Sequence, residues 1–276
     1  MPEGDTVFLA ATRLHAALAG AVLTKSDLRV PQHATVDLSG RRILEVIPRG
    51  KHLLFRIEGG TTLHTHYKME GAWHLYRHGE KWRGPTFQVR AVLETEDFVA
   101  VGFQLAVVEV LDTAAEDEVV GHLGPDPLGD DWDVEVVVGA MRQRSDAEIA
   151  TVLLDQRILA GLGNVYKSEL CFLAGLHPWT KVGEVADLHK VAYLAERSMK
   201  ANRKTGNQIT TGDLRPGRQR WVYGRAGKRC FRCGTEILKA DQEGYGGDRV
   251  TFWCPVCQPA ISREEPAQVD GAGKEG

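Results

Sequence analysis

Two groups of residues in this chain have types and spacings that could do chemistry. The first is the start, Met1-Pro2-Glu3-Gly4-Asp5-Thr6. Removal of the initiator methionine, which a small second residue favours, would leave Pro2 with a free secondary amine. Such an amine can attack an electrophilic carbon and form an iminium, the covalent strategy that lysines use in Schiff bases. An α-amino group titrates at about pH 8, so a usable fraction is neutral under working conditions. Glu3 stands beside it as a proton shuttle. A solvated polar tail is the alternative, and six residues alone do not decide between the two. The second group is Cys230-x2-Cys233 and Cys254-x2-Cys257, separated by twenty residues. Each pair makes a tight knuckle that presents two thiolates to one ion, and two knuckles complete a tetrahedral zinc site. Four protein ligands leave no open position for chemistry, so one structural zinc is expected and no catalytic metal. A redox pair or an iron site is the alternative. The fifth cysteine, Cys171, sits in an apolar stretch and reads as a packed core thiol.

Further candidates lie between these ends. Leu153 to Lys167 joins two helical patterns through Gly161-Leu162-Gly163. Such a turn can aim backbone N–H groups at an anion where the second helix begins, with Asn164 adding a donor and Lys167 a charge. An ordinary helix-to-helix corner fits the same residues. His64-Thr65-His66 puts two imidazoles on one strand face, as packed or ligand-facing histidines or as a metal pair without a carboxylate set. Trp221, beside a basic run, reads either as a core residue or as a stacking platform.

These residues need elements to position them. Asp5 to Ala19 has apolar residues on one helical face and Gly20 as a stop. From Ala21 to Leu111 the pattern is of short strands, among them Ile43–Ile47, His52–Ile57, Phe87–Leu93 and Val107–Leu111. Gly59-Gly60 forms a hairpin turn. Many short strands with turn signals predict a sandwich or barrel. Thr113 to Val138 is acidic, with Gly-Pro-Asp-Pro at 124–127, and reads as a linker or the approach to a second domain. Helices follow. Ser145 and Glu148 resemble a capping box ahead of a helix over Ile149–Leu159; another helix runs from Asn164 to Leu173 with Gly175 as its stop, and a third over Val182–Lys200. The second cysteine pair is preceded by strand-like Val250-Thr251-Phe252-Trp253. With Glu236-Ile237-Leu238 and the turn Glu243–Asp248 it predicts a β-hairpin zinc ribbon. The expected fold is α+β in two domains: an N-terminal helix with an antiparallel β-sandwich over 1–112 and a linker over 113–138. A helical domain over 139–222 and a ribbon over 223–259 follow, with a disordered tail over 260–276.

The charge is lopsided within a net of −3. Ala91 to Glu135 contains thirteen Asp and Glu and no Lys or Arg, whereas Lys200 to Cys233 contains ten Lys and Arg against Asp213 alone. A basic face suits a polyanion, and a solvated surface is the bland alternative. No apolar run reaches membrane-spanning length and no signal pattern opens the chain, so a cytoplasmic protein without a membrane partner is expected.

Taken together, Pro2-Glu3-Gly4, Arg49-Gly50-Lys51-His52-Leu53-Leu54, the Leu154–Lys167 stretch, Val222-Tyr223-Gly224-Arg225 and Arg249-Val250-Thr251-Phe252-Trp253-Cys254-Pro255-Val256-Cys257-Gln258 resemble one family. It is the helix–two-turn–helix DNA glycosylases, formamidopyrimidine-DNA glycosylase and endonuclease VIII, and the resemblance extends over residues 1–258. It implies a bifunctional glycosylase and abasic-site lyase of base excision repair, working by β,δ-elimination with DNA in a cleft. Pro2 then matches the nucleophile for C1′ and Glu3 the group that helps open the sugar. Lys51, Asn164 and Arg249 match phosphate contacts and Met69 the residue that fills the gap left by an extruded base; beside them, Lys167 and Arg225 are expected from their charge and position to be further DNA contacts. A core methionine is the alternative for Met69. The implied partner is damaged DNA, duplex or single-stranded, bound by a monomer that is nucleoid-associated in a bacterium. Two departures matter. Thr6 stands where relatives carry a second assisting carboxylate. Thr210-Thr211 and Val222 are separated by ten residues, too few for the loop that caps oxidised guanine in the purine-lesion branch. Both favour the endonuclease VIII branch and oxidised pyrimidines. A damaged-DNA binding module without catalysis, or an enzyme acting mainly as an abasic-site lyase, remains the alternative.

Overall fold

The structure is a computed structural model, and it describes residues 2–244 and 247–260. The expected loss of Met1 and the expected disordered tail from 261 onward lie outside the described residues, as do two positions of the ribbon turn. Chain contacts divide the protein into two units, residues 1–123 with 203–206, and residues 124–202 with 207–276.

In the first unit α1 spans Gly4–Leu18 and buries Val7, Ala11, Leu14 and Leu18, the i, i+3/i+4 stripe that its sequence predicts. Eight strands follow: β1 (Lys25–Leu28), β2 (Ile43–Arg49), β3 (His52–Ile57), β4 (Thr61–His66), β5 (Ala72–Tyr76), β6 (Val89–Glu94), β7 (Val99–Phe103) and β8 (Val107–Asp112). They form two antiparallel four-stranded sheets, ordered β1-β6-β7-β5 and β2-β3-β4-β8. Leu53, Phe55, Ile57 and Leu63 of one sheet meet Ala91, Leu93 and Ala100 of the other in a core that α1 completes. Burial of such side chains is worth about 1.5–3 kcal/mol each, which makes this layer the main source of the unit's stability. The strand expected from Phe87 starts at Val89 instead. Pro85 opens a short 3-10 turn over Thr86–Gln88, closed by Gln88 N–H on the Pro85 carbonyl (3.0 Å), and Phe87 is exposed. The outer face of β2-β3-β4-β8 is polar. Arg56 reaches Glu45 (2.8 Å) and Glu116 (2.6 Å), and the Thr62 hydroxyl donates to Glu116 at 2.6 Å. Glu116 begins α2 (Glu116–Val120), so the stretch read as a linker contains a helix tied to the sheet.

The second unit contains α3 (Val134–Arg142), α4 (Ile149–Val152), α5 (Asn164–Ala174) and α6 (Leu188–Asn202), then the hairpin of β9 (Leu238–Gln242) and β10 (Arg249–Trp253). The helix expected over Ile149–Leu159 ends at Val152, and no side-chain cap forms at its start. Asp155 ends that stretch: its carboxylate takes the Arg157 backbone N–H (3.1 Å) and guanidinium (2.7 Å), which fixes a turn in place of another helical turn. The helix expected from Val182 starts at Leu188, after a 3-10 turn over Val182–Glu184. Gly175 closes α5 at φ 75°, a left-handed position that suits glycine. Cys171 is fully buried in this core, and burial pushes its thiol up to about 12, as suits an inert packed cysteine. No helix among the described residues is long and apolar enough to cross a membrane.

Candidate functional site

The N-terminal residues are held by the first turn of α1. Glu3 is the residue before the helix, in extended conformation, and its carbonyl accepts the N–H groups of Thr6 (3.0 Å) and Val7 (3.1 Å). Its side chain is fully buried, whereas Pro2 is half-buried. Asp5 is also fully buried and takes the Thr6 N–H at 2.8 Å. Thr6 itself faces a cavity of about 790 Å³ whose walls include Pro2, Arg13, Tyr67, Gly71 and Tyr76. Pro2 therefore lies against a concave surface, with a shielded carboxylate next to it. The segment 203–206 also packs on α1: a Cβ on Gly206 would lie 3.3 Å from Leu9, and its φ of 65° suits glycine.

The turn after β4 supplies another wall of that cavity. The Gly71 N–H bonds the Tyr67 carbonyl at 3.0 Å, and a Cβ on Gly71 would lie 2.7 Å from that oxygen, so only glycine closes the turn. Met69 stands at its tip, 59% exposed, an unbranched apolar side chain projecting into solvent. The core alternative for Met69 does not apply to such a position. Lys51 lies in the two-residue turn between β2 and β3, since Arg49 pairs with His52 across it. His52 in turn pairs with His66, which ends β4 just ahead of the Met69 turn. Lys51, Lys68 and His66 thus share one end of the sheet, and the two lysines add to burial in pushing His66 down to about 4.

In the second unit Asn164 is the first residue of α5 and is nearly buried, donating its side-chain amide to the Val250 carbonyl at 2.8 Å. Arg249 is exposed at the start of β10, its guanidinium bonding the Asp248 carbonyl at 3.0 Å. Asn164 thus bonds the strand at the residue that follows Arg249. Lys167 and Arg225 are placed differently from the exposed cations that their charge suggests. Lys167 is 1% exposed and donates to the Thr251 hydroxyl at 2.6 Å, and Thr251 donates on to Gln242 at 2.8 Å. Arg225 is buried, donates to the Trp221 and Arg229 carbonyls, and stacks its guanidinium 3.4 Å from the Phe231 ring centroid. Both fasten the ribbon to its surroundings. Trp221 packs at 5.2 Å on Phe172 as part of the same cluster.

The four cysteine sulfurs all lie within 4.8 Å of one another, with Cys230 to Cys257 at 3.9 Å and Cys233 to Cys254 at 3.4 Å. Zn–S bonds of about 2.3 Å in a tetrahedron put sulfurs about 3.8 Å apart, so the set fits one such ion. It is the one group of three or more ligand-type side chains arranged to share an ion among the described residues.

One buried residue gave no signal in the sequence. Glu169 on α5 is fully buried and accepts the backbone N–H groups of Trp221, Val222 and Tyr223, each at 2.8 Å, and the Thr210 hydroxyl. It holds both ends of the short segment between Thr211 and Val222, which closes on itself through Thr211 hydroxyl to Arg218 carbonyl (2.6 Å) and Asp213 to Arg215 and Arg218. Its four donors converge only in the folded chain.

Known proteins resemble this chain over most of its length. Residues 1–108 match the formamidopyrimidine-DNA glycosylase N-terminal domain and residues 123–206 the formamidopyrimidine-DNA glycosylase H2TH domain. A probable endonuclease 8 2 of Streptomyces coelicolor is 54% identical over 94% of both chains. A DNA-(apurinic or apyrimidinic site) lyase, Nei2, of Mycolicibacterium smegmatis is 50% identical over 94% of this chain and 100% of its own. Among solved structures, a Lactococcus lactis formamidopyrimidine-DNA glycosylase bound to DNA containing an abasic site superposes with a TM-score of 0.78. It is 25% identical and covers 94% of this chain and 100% of that one. With its two domains, its ordered Pro2-Glu3 start and its four-cysteine ribbon, the chain belongs to the formamidopyrimidine-DNA glycosylase and endonuclease 8 family.

Proposed function

We propose that this protein is a bifunctional DNA glycosylase and abasic-site lyase of base excision repair, with oxidised pyrimidines as its preferred bases. The observation that carries this reading is Pro2, half-buried on the wall of a 790 Å³ cavity with the buried Glu3 beside it. Once Met1 is removed, the Pro2 nitrogen attacks C1′ of an extruded nucleotide. The C1′–N bond breaks, its electrons leave with the base, and the base takes up a proton. Glu3 is placed to protonate the ring oxygen as the sugar opens to the iminium. The iminium acidifies the C2′ proton; its loss expels the 3′ phosphate, and a second elimination expels the 5′ phosphate. A base inside a duplex hides C1′, and its extrusion costs a few kcal/mol. Met69, exposed at a glycine-closed tip, is the apolar side chain suited to occupy the vacated stack.

Lys51 and Arg249 serve as phosphate contacts, and Asn164 contributes from the start of α5. Lys167, being buried, acts by holding the ribbon strand that carries Arg249, and Arg225 by tying Trp221 to Arg229 at the entry to the ribbon. Cys230, Cys233, Cys254 and Cys257 hold one structural zinc, which cross-links the ribbon. The preference for oxidised pyrimidines rests on the short, self-closed segment after Thr211, which leaves no room for a long cap. The protein works as a monomer, in the cytoplasm at the nucleoid. A second reading, an enzyme acting mainly on abasic sites, is favoured by the name of the Mycolicibacterium relative and by Thr6 in place of a carboxylate. A lesion panel separates the two: base release from oxidised pyrimidines at rates near those of strand cleavage supports the first reading. Strand cleavage of abasic DNA without base release supports the second.

A further inference from the structure

The polar face of the β2-β3-β4-β8 sheet carries a second set of aligned side chains. Glu109 lies directly opposite His64 in the β4–β8 register, and its carboxylate is 2.9 Å from His64 Nδ1. His64 Nε2 is 2.8 Å from His52 Nδ1, with the two rings stacked. An ionised carboxylate only accepts, so Nδ1 of His64 carries the proton and its Nε2 is an acceptor. His52 must then donate from Nδ1, which leaves its Nε2 as a lone pair. No hydrogen bond to that nitrogen exists among the described residues. His66 is fixed the other way: its Nδ1 accepts the Lys68 backbone N–H at 2.9 Å, so its proton sits on Nε2. Of these three rings, only His52 has a basic nitrogen left to load.

The groups facing this patch are Arg49, opposite His52, Lys51 from the β2–β3 turn, Lys68 from the turn after β4, Glu109 from β8, Glu116 from α2 and His122 beyond it. In the free protein, burial first and then His66, His64, His122 and Lys68 push His52 down to about 2, so the ring is neutral at physiological pH. A phosphate docked on Lys51 and Lys68 would cancel the Lys68 repulsion, the smallest of these causes, and add an attraction of its own that opposes the burial. The resulting imidazolium would be backed by His64 and, through it, by the half-exposed Glu109 carboxylate, which offsets part of the burial of the charge on His52.

We propose that His52, backed by His64 and Glu109, is an anion-gated proton acceptor that loads when a DNA phosphate docks at the Lys51 edge. It is a positioning device, acting on how firmly the phosphate is held and not on the sugar chemistry, and it rests on the DNA reading given above. A group that binds its proton more tightly in the complex makes binding strongest at low pH and weakens it as pH rises through the bound-state value. The test is calorimetric titration of the full-length protein with a duplex carrying a tetrahydrofuran abasic-site analogue. It is run at pH 6.5 in two buffers of different ionisation enthalpy. Wild type is expected to take up more protons per duplex than His52→Gln, and Glu109→Gln, at a half-exposed position that tolerates exchange, to take up an intermediate number. Nitrogen-15 spectra of the free wild-type protein are expected to show His52 protonated on Nδ1 alone. Equal uptake by wild type and both variants, or a His52 protonated on Nε2, overturns the proposal while leaving the DNA reading intact. A protein that binds no abasic duplex in any form removes both.

Discussion

Replacing Glu169 tests whether the second unit is held as described. Its carboxylate takes three backbone N–H groups at 2.8 Å and the Thr210 hydroxyl, with no exposure to water. Hydrogen bonds to a charged group contribute about 1.5–3 kcal/mol each, so four of them bound the loss from above at about 6–12 kcal/mol. Water entry and relaxation bring the loss for one removed partner of a buried network down to about 3–5 kcal/mol. In Glu169→Gln one oxygen becomes an NH2 that meets N–H donors, so the isosteric change is expected to cost nearly as much as Glu169→Leu. For a unit of this size each kcal/mol moves the midpoint by about 2–4 °C, giving a fall of roughly 6–20 °C. Thermal melts followed by near-ultraviolet circular dichroism, which senses Trp221, are the assay, with limited proteolysis across 207–225 as a second probe. Shifts below about 3 °C in both variants would refute the reasoning, because they would mean that the three N–H groups find water or other partners at no loss.

The remaining predictions concern the wedge, the ribbon and the sheet face. Met69→Ala should slow cleavage of a lesion in duplex DNA by about tenfold and leave cleavage of an abasic single strand unchanged, because only the duplex needs its stack filled. Cys254→Ser should lower zinc content from about one ion per chain to none, melt the second unit earlier and leave the midpoint of the first unit unmoved. Glu116 gives an acid-stability signature. Burial pushes its carboxyl up, but the bonds from Arg56 and Thr62 outweigh that and hold it below its ordinary 4.5. A lowered folded value means stability present above the unfolded value and lost as pH falls through the folded one. Glu116→Gln should therefore flatten the loss of stability below about pH 4.5 seen in chemical denaturation of wild type.

Much of this protein is legible in its sequence where the signal is local. The α1 stripe, the Gly59-Gly60 hairpin, the stop at Gly175 and the two cysteine knuckles each depend on neighbours within a few residues. The resemblance drawn from Pro2-Glu3-Gly4 and the Asn164 turn led to the family that the relatives share. Failures came where a local rule met a tertiary partner. Ser145 and Glu148 have the spacing of a capping box, but Glu148 bonds Gln242 at 2.7 Å on the ribbon, and Asp155 turns the chain three residues after Val152. The burial of Lys167 and Arg225 is not legible in the sequence, because charge in a sequence says nothing about which hydroxyl or carbonyl will meet it. Glu169 and the Glu109–His64–His52 chain needed strand register and helix contacts that no spacing encodes.

The central claim is that the Pro2 nitrogen becomes covalently bonded to C1′. Its most direct test is borohydride reduction during reaction with a duplex carrying one oxidised pyrimidine, using protein whose N-terminus has been verified as Pro2, followed by mapping of the adduct by mass spectrometry. The account predicts a single adduct on the N-terminal peptide, at Pro2, and no adduct from protein that retains Met1. An adduct at a lysine side chain, or none from correctly trimmed protein that nonetheless releases the base, would contradict it.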